Sequence, residues 1–391
     1  MTTKLFYTSP ETEEWQTKIK KEIEKGGDCF VILEETAFYP HGGGQPCDLG
    51  SINDIAVSDV FMEDDEILHK IDRLPETNHV SCKLNWDRRF DHMQQHSGQH
   101  LLSAICLELF QAKTVSFHLG TEDVTIDVNQ INLTQDQLIR IEDEVNKQIY
   151  KNRNINSYFI NNEQLTSIPL VKQPKVTENI RIVEIEGIEY NACGGIHVSN
   201  TGEIGIIKLF KSEKMKDATR IHFKCGYRAL EDFQATLEIT DTLSDKFHTG
   251  RKDILDRFGK WENEHKQLQY QNSELEEQNN TYLEKELLSR IESNVLAHVF
   301  PDKSLKSMQK FAAKIASEQH VIVLFATTAE NKVLLVHDGS EFLLCGEFYK
   351  EHLPAFNGKG GGNAKSAQAA FPTLENCLAF FQFVYEKIIS C

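Results

Sequence analysis

Disulfide and membrane signals are absent from this sequence. Its nine cysteines are an odd number, and no two are spaced as Cys-x-x-Cys. Scattered cysteines of this kind fit a reducing compartment better than a disulfide framework. The first residues contain no apolar signal core, and no apolar run approaches the length of a transmembrane helix. We therefore expect a cytoplasmic protein.

Positive charge is also scarce. Lys and Arg number 42 against 59 Asp and Glu, which gives a formal net charge of −17. This balance argues against a generic polyanion binder, so any contact with nucleic acid should be local. Two hydrolase motifs are missing as well. Ser97 occupies the position of the glutamate in HExxH, and Ala364 interrupts the Walker pattern in GKGGGNAKS.

The most informative motifs are an HxxxH in HSGQHLL and a CxxxH in NACGGIH. Histidines four residues apart lie on one face of a helix, where both can reach one ion. Three imidazoles and one thiolate form a typical tetrahedral zinc set. We predict one zinc ion per chain, and a purely structural zinc stays open because four protein ligands close the coordination sphere. The predicted ligands are His96, His100, Cys193 and His197.

The order of apolar, charged and glycine-rich segments predicts an α+β fold. Short strands and turns begin the chain, a helix runs from about Asp87 to Phe110, and strands flank the CxxxH motif. Seven-residue spacing from Ile254 to Tyr282 indicates a helical spacer or hairpin, since its companion positions are mostly polar. We predict a β-rich barrel-like domain, a zinc-containing α+β domain, a helical spacer and a small α/β C-terminal domain, over residues 1–87, 88–228, 229–296 and 297–391.

Three further segments are candidates for ligand contact. In TAFYPHGGGQPCDLG, consecutive glycines let backbone amides approach a ligand, although this segment by itself favours a simple glycine-rich hairpin turn. Residues 208–228 hold seven basic against two acidic residues, which suits phosphate contact or else a solvated face. GKGGGNAKSAQAA superficially resembles a phosphate loop that leads into a helix, and anion contact or close helix packing stays open.

Taken in order, these segments resemble the alanyl-tRNA editing protein (AlaX) family, the free-standing relatives of the editing domain of alanyl-tRNA synthetase. The resemblance covers about residues 5–228, and the tail resembles the DHH-associated C-terminal domain of that synthetase, so the chain is similar to the long form of the family. The motifs that carry it are Thr36, Phe38-Tyr39-Pro40 and Gly42–Gln45, Trp86-Asp87, Arg89, Met93, His96–Leu102, Ser116–Gly120, Arg181–Val183, Asn191–Gly195, His197-Val198, Thr201–Gly205 and Arg220-Ile221.

The resemblance implies a trans-acting, zinc-dependent deacylase for mischarged tRNA(Ala), chiefly seryl-tRNA(Ala), with glycyl-tRNA(Ala) as a further candidate. It implies that a water held by zinc or by the terminal ribose attacks the ester, with no certain catalytic side chain. Ile196 departs from the family's usual Thr, which removes a hydroxyl near the site. The implied substrate-binding residues are Thr36, Phe38, Gly43, Gly44, Gln45, Gln99 and His118, and the tRNA-binding residues are Lys208, Lys211, Lys214, Lys216, Arg220, Lys359 and Lys365.

Two other classes of function remain open. The chain could be a zinc-stabilised tRNA-binding module without catalysis, or a phosphoesterase related to the DHH enzymes. The second is disfavoured because the sequence has no DHH triplet and no cluster of aspartates for a two-metal site. A homodimer through the C-terminal region is also expected.

Overall fold

The computed structural model describes residues 2–121, 123–165, 168–171, 178–339 and 343–390. Two compact units divide the chain, Met1–Lys246 and Phe247–Cys391, and both contain helices and sheets. The predicted α+β class is therefore confirmed, whereas the four-domain division stays a prediction. None of the described helices is long and apolar enough to cross a membrane.

Six strands near the N-terminus close into a barrel in the order β2-β3-β7-β6-β5-β8. Alternating residues of β8 (Val80, Cys82 and Leu84) point inward, as the pleat of a strand requires. The elements of this region are β1 (Thr3–Lys4), α1 (Leu5–Thr8), β2 (Glu14–Lys25), β3 (Asp28–Leu33), β4 (Glu35–Thr36), β5 (Gly50–Ile52), β6 (Ile55–Glu63), β7 (Glu66–Ile71) and β8 (His79–Leu84).

The rest of the first unit surrounds one long helix, α2. Its sheets have the orders β14-β15-β10-β9 and β11-β12-β13. The remaining elements of the unit are α2 (Trp86–Phe110), β9 (Thr114–Leu119), β10 (Val124–Val128), α3 (Gln135–Tyr150), β11 (Ile155–Ile160), α4 (Asn162–Leu165), β12 (Ile180–Ile185), β13 (Glu189–Ala192), β14 (Ile207–Lys214), β15 (Thr219–Cys225) and α5 (Gly226–Phe247).

Helix α2 begins at its cap, Asn85, whose side chain accepts a hydrogen bond from the Arg88 amide. It approaches β15 closely, because a Cβ at Gly98 would lie 2.2 Å from Cys225 Sγ. Gln95 also exchanges two hydrogen bonds with the Cys225 backbone, at 2.9 and 2.8 Å. These contacts fix α2 in depth and rotation, and therefore fix where its histidines point.

The second unit contains a five-stranded sheet in the order β16-β17-β18-β20-β19. Val323 and Phe325 of β17 face α7, while Leu324 and Ala326 face the apolar cluster that includes α8 and α9. Its elements are α6 (Ile254–Leu288), β16 (Val295–Phe300), α7 (Leu305–Gln319), β17 (Ile322–Thr327), β18 (Lys332–Val336), α8 (Cys345–His352), β19 (Lys359–Gly362), β20 (Ser366–Ala370) and α9 (Leu374–Ile389).

The glycine-rich tail motif does not lead into a helix. Lys359–Gly362 and Ser366–Ala370 pair as an antiparallel hairpin at the edge of the sheet. A Cβ at Gly362 would lie 2.0 Å from the Ser366 carbonyl oxygen, and one at Gly346 of α8 would lie 2.5 Å from the Gly362 carbonyl oxygen. The glycines therefore serve close strand and helix packing, and the likeness to a phosphate loop is wrong.

A buried ion pair joins α2 to the barrel. The Arg89 guanidinium and the Asp48 carboxylate are both fully buried, and Arg89 Nε lies 3.1 Å from each carboxylate oxygen. Arg89 also donates to the carbonyls of Pro10, at 2.8 Å, and Ala37. Asp48 in turn accepts the Tyr39 amide at 2.6 Å. One pair thus fixes the helix, the N-terminal segment and the glycine-rich segment together.

We expect Arg89→Met to lower the free energy of unfolding by about 3–5 kcal/mol, because it leaves the Asp48 carboxylate buried and unpaired. Urea denaturation followed by circular dichroism measures this loss. Lys83→Ala is the control, since the Lys83–Glu14 pair is exposed and its loss should hardly move the midpoint. Equal midpoints for the Arg89 variant and the parent chain would contradict the structural role of this pair.

Candidate metal centre

The four residues of the two sequence motifs come together in the first unit. One ligand atom from each of His96, His100, Cys193 and His197 lies within 4.8 Å of the other three. The two histidines of α2 project from one helix face, and Cys193 follows directly after β13. All three histidines are buried, whereas Cys193 is half-buried. The spacing argument therefore located a real cluster of metal-binding side chains.

Each imidazole is held through its Nδ1 atom. His96 Nδ1 donates to Gln45 Oε1 at 3.0 Å, and the Ile196 amide donates to the same oxygen at 3.1 Å, which fixes the orientation of the Gln45 amide. His100 Nδ1 donates to Glu189 Oε2 at 2.8 Å. At His96 the proton lies on Nδ1, so Nε2 carries the lone pair that a metal needs. At His100 the same kind of bond leaves Nε2 as the atom that can bind a metal once it has lost its proton.

The third histidine follows the same arrangement. His197 Nδ1 lies 3.2 Å from Ser97 Oγ, which also accepts the Val198 amide at 3.1 Å. His197 Nε2 is buried and has no hydrogen-bond partner among the described residues. A buried polar atom without a partner is costly. This orphan nitrogen is explained if it is a ligand atom.

The electrostatics of the cluster favour a thiolate. Burial alone would raise the pKa of Cys193, but the His96 and His100 imidazoles outweigh it and hold that pKa well below the usual range. Burial lowers the pKa of His197 to about 3, which keeps this ring neutral. Burial would also lower the pKa of His100, but the Cys193 sulfur and the Glu189 carboxylate raise it to about 10. A cation at the centre would replace the His100 proton as the counter-charge of the thiolate.

Glycines on two segments make this arrangement possible. Gly43 and Gly44 have φ values of +58° and +80° at the centre of a tight turn, and that turn delivers Gln45 to His96. A Cβ at Gly195 would lie 2.1 Å from His96 Cε1. Only glycine at position 195 therefore lets the turn after Cys193 approach the imidazole.

The turn Cys193–Gly195 is held by three side chains. Tyr7 and Tyr39 each donate a hydroxyl to the Gly194 carbonyl at 3.1 Å. Arg181 donates to the carbonyls of Cys193, at 2.9 Å, and Gly195, at 2.6 Å. All three carbonyls of the turn are thus satisfied, and the position of the Cys193 sulfur is fixed by its backbone.

A cleft of about 170 Å³ is lined in part by Glu189, the residue that accepts the hydrogen bond from His100. Phe117 at its edge packs on the His96 ring, with centroids 5.3 Å apart. Within the cleft, Gln99 Nε2 donates to Ser103 Oγ at 2.8 Å. Polar side chains and one aromatic ring thus lie beside the metal-binding groups. The residues that line this side of the cleft are Gln99, Ser103, Thr114, Phe117, Glu189 and Asn191.

Comparisons with known proteins identify this arrangement. Residues 180–222 match the family model described as the threonyl and alanyl tRNA synthetase second additional domain, and residues 6–88 match the model for class II (A) tRNA synthetases. The chain is 32% identical to the alanyl-tRNA editing protein AlaX-L of Pyrococcus horikoshii, over 94% of each chain. This chain belongs to the alanyl-tRNA editing protein family.

Two further relatives share a smaller part of their own length with this chain. The alanyl-tRNA editing protein Aarsd1 of Bos taurus is 35% identical over 66% of this chain, and the match spans 58% of the bovine protein. The alanine–tRNA ligase of Methanococcus maripaludis is 27% identical over 94% of this chain and 42% of the ligase. The family resemblance predicted from the sequence motifs is therefore confirmed.

The glycine-rich motif of this editing-family chain contacts the candidate metal centre and the barrel. Thr36 is fully buried in the barrel, where its Oγ1 lies 2.8 Å from His69 Nε2 and accepts the Phe38 amide at 3.1 Å. Phe38 is also fully buried. Gln45 Oε1 is held by His96 and the Ile196 amide, whereas Gln45 Nε2 is buried and has no partner among the described residues. Substrate contact by these residues stays a prediction, and Thr36 and Phe38 also have a structural role.

Two neighbouring residues of β9 have different environments. Phe117 lies against the His96 ring, while His118, the residue predicted from the sequence, is exposed. Successive side chains of a strand point to opposite faces, so the alternation could have identified Phe117. Ile196 is fully buried in the apolar core, so its side chain points away from the polar groups of the centre.

Most of the predicted basic segment is neutralised by carboxylates. Lys214 and Lys216, at the exposed end of the β14–β15 hairpin, form no ion pair within the described part of the chain. In the second unit, Lys365 Nζ donates to the Asp338 carbonyl at 2.9 Å, and Lys359 is exposed on β19. The ion pairs of the basic segment are Lys208–Glu142, Lys211–Glu213, Arg220–Asp127, Lys224–Asp232 and Arg228–Asp91.

The hydrogen bonds of a second group of His, Cys and Asp side chains argue against a metal site there. Atoms of His41, Cys47 and Asp59 lie within 4.8 Å of one another. However, the Cys47 amide donates to His41 Nδ1 at 3.3 Å, so the proton of the neutral ring lies on Nε2, which faces Asp59 Oδ1 at 3.0 Å. A ring nitrogen that carries a proton cannot bind a metal. We therefore interpret this group as a hydrogen-bonded cluster.

We predict that Gly195→Ala removes the bound metal, because the added methyl group would overlap the His96 ring. Gly194→Ala is the matched control, since a Cβ there meets only the Tyr7 hydroxyl, at 3.8 Å. Metal content per chain, measured by plasma mass spectrometry after purification in zinc, should fall to near zero only in the first variant. A metal-replete Gly195 variant would show that the turn does not need its close approach to His96.

Proposed function

We propose that this chain is a trans-acting editing hydrolase that cleaves the ester of mischarged tRNA(Ala), chiefly seryl-tRNA(Ala), with glycyl-tRNA(Ala) as a second substrate. The observation that carries the proposal is the buried His96, His100, Cys193 and His197 cluster in a chain of the alanyl-tRNA editing family. The reaction belongs where tRNA is charged and used, which supports the predicted cytoplasmic location.

An editing enzyme is needed because the wrong amino acid differs so little from the correct one. A synthetase pocket discriminates poorly against an isostere that merely adds a hydroxyl group, so a second site must remove the wrong product. In this chain, Gln99, Ser103 and Asn191 place hydrogen-bonding groups in the cleft that Glu189 and Phe117 also line. We assign these groups to recognition of the serine side chain and its amino group.

The donor set fits zinc. Three imidazoles and a thiolate suit that ion, and Gln45, Glu189 and Ser97 hold the rings. When bound, zinc would act as a Lewis acid toward the substrate. The polar side chains of the cleft then orient the aminoacyl group, and the attacking water is held by these groups and the terminal ribose. No side chain of the protein is assigned as a general base.

The deciding experiment is deacylation of seryl-, glycyl- and alanyl-tRNA(Ala) by the zinc-loaded protein. We expect rapid loss of the seryl ester, slower loss of the glycyl ester and no loss of the alanyl ester. His100→Ala should abolish the activity, because it removes a ligand. Full activity without zinc would contradict the zinc-dependent mechanism. Bound zinc with no hydrolysis of any ester would favour the alternative, a zinc-stabilised tRNA-binding module.

We assign tRNA contact in the first unit to the end of the β14–β15 hairpin. Lys214 and Lys216 are its unpaired cations, whereas the carboxylates around Lys208, Lys211 and Arg220 oppose binding to phosphate.

Charge reversal of Lys214 and Lys216 to Glu should weaken tRNA binding and lower the slope of log affinity against log salt by roughly one per lost phosphate contact. Filter binding at several salt concentrations measures both quantities. Lys18→Glu with Lys21→Glu on β2 makes the same change in net charge at another exposed place and should leave the salt slope unchanged. Identical slopes for both double variants would refute the assignment.

The second unit is proposed to bind tRNA outside the acceptor end or to form a dimer, by analogy with the C-terminal domain of the synthetase. Lys359 and Lys365 lie in its glycine-rich hairpin, and the apolar positions of α6 are exposed, with Leu268 at 62% and Leu275 at 63%. Removal of residues 297–391 should therefore lower tRNA affinity or change the mass measured by light scattering. No change in either quantity would refute both roles.

A further inference from the structure

An exposed aromatic side chain lies beside the turn that carries Cys193. The Tyr7 hydroxyl bonds the Gly194 carbonyl at 3.1 Å, and the Tyr7 ring lies 4.7 Å from the Arg181 guanidinium carbon. The Phe159 ring meets the Tyr7 ring edge to face, with centroids 5.9 Å apart. Phe159 is 53% exposed, although it belongs to the regular strand β11.

The fold does not require an aromatic residue at this position. Tyr158 and Ile160, its neighbours on β11, pack with Ile180 and Ile182 in a small apolar cluster. Phe159 points to the opposite face, where it pairs with Arg181 across β11 and β12. Its orientation is fixed by the strand and by Tyr7, while one side of the ring faces solvent.

The proposed reaction brings the terminal nucleobase of the tRNA into this region. The ester joins the amino acid to the terminal ribose, so the terminal base lies one sugar away from the metal centre. Proteins that bind single-stranded ends hold such bases by stacking on aromatic side chains. We propose that Phe159, supported by Tyr7 and Arg181, is the stacking platform for the terminal base of the tRNA substrate.

The charge of Arg181 adds to this platform. Its guanidinium donates to backbone carbonyls and to Ser157 Oγ, at 3.0 Å, and makes no ion pair with a carboxylate among the described residues. The Arg181 side chain is itself buried, at 9% exposure, so its charge attracts the terminal phosphate through space and without direct contact.

Another aromatic cleft competes for this role and suits it less. A space of about 1120 Å³ between the start of α2 and α5 contains Trp86, Phe90 and Tyr227. Four carboxylates line it against three cations, and two of the carboxylates pair with Arg228 and Lys224. Excess negative charge disfavours a polyanionic end. The platform at Phe159 includes the Arg181 cation and adjoins the metal-binding turn through Tyr7.

The test uses an RNA minihelix that carries no amino acid and has a single-stranded CCA end. A matched minihelix lacks only the terminal nucleobase. Fluorescence anisotropy with the full chain measures both affinities. Phe159→Ala should weaken binding of the complete minihelix by roughly tenfold. The abasic minihelix should bind the parent chain about as weakly, and Phe159→Ala should cause no further loss with it. Phe159→Tyr should keep the affinity of the parent chain.

Phe233→Ala is the matched control, because Phe233 is 55% exposed on α5, and its affinity should not change. Unchanged affinity of Phe159→Ala, or an equal loss with both minihelices, would overturn the platform. Loss of metal from Phe159→Ala would assign the residue a structural role and overturn it too. The choice of tRNA as the ligand of the platform rests on the proposed function. The anisotropy measurement of binding, however, requires no hydrolysis. If the parent chain binds the minihelices as expected but deacylates no substrate, the proposed hydrolase activity is refuted. The stacking platform is not refuted by that result.

Discussion

The structure depends on the burial of a polar helix. Helix α2 is buried at sixteen positions, and these include arginine, glutamines and histidines as well as leucines. Each buried polar group must find a partner, since an unsatisfied one is costly. The partners come from distant parts of the chain: Asp48 for Arg89, the Cys225 backbone for Gln95, Gln45 for His96 and Glu189 for His100. The barrel, the sheets and the glycine-rich turn are positioned by this requirement.

The same requirement turns a group of histidines into a metal site. An imidazole in solution can present either nitrogen, but His96 and His100 each give Nδ1 to an oxygen that can only accept. Their Nε2 atoms are therefore the ones left to bind a cation, which at His100 replaces a proton. The contrast with His41, whose Nδ1 accepts an amide proton, shows that ligand spacing alone does not distinguish a metal site from a hydrogen-bonded cluster.

Local sequence patterns predicted much of this molecule. The pairing of His96 and His100 followed from their spacing on a helix, and the helix predicted over residues 87–110 occupies Trp86–Phe110. Strand β2 was missed because most of its side chains are charged and exposed, so it shows little apolar alternation. Glu189 and Tyr7 could not be predicted either. Their roles depend on contacts with residues 89 and 187 positions away, which only the fold brings together.

The hydroxyls of Tyr7 and Tyr39 reach across the first unit to Gly194. The two family models cover residues 6–88 and 180–222 as separate pieces of sequence, yet the metal-binding turn is completed only where they meet. Exchange of one piece alone would separate these hydroxyls from the carbonyl that they bind. A transplant of this centre into another chain therefore has to carry both segments if the turn is to keep its hydroxyl contacts.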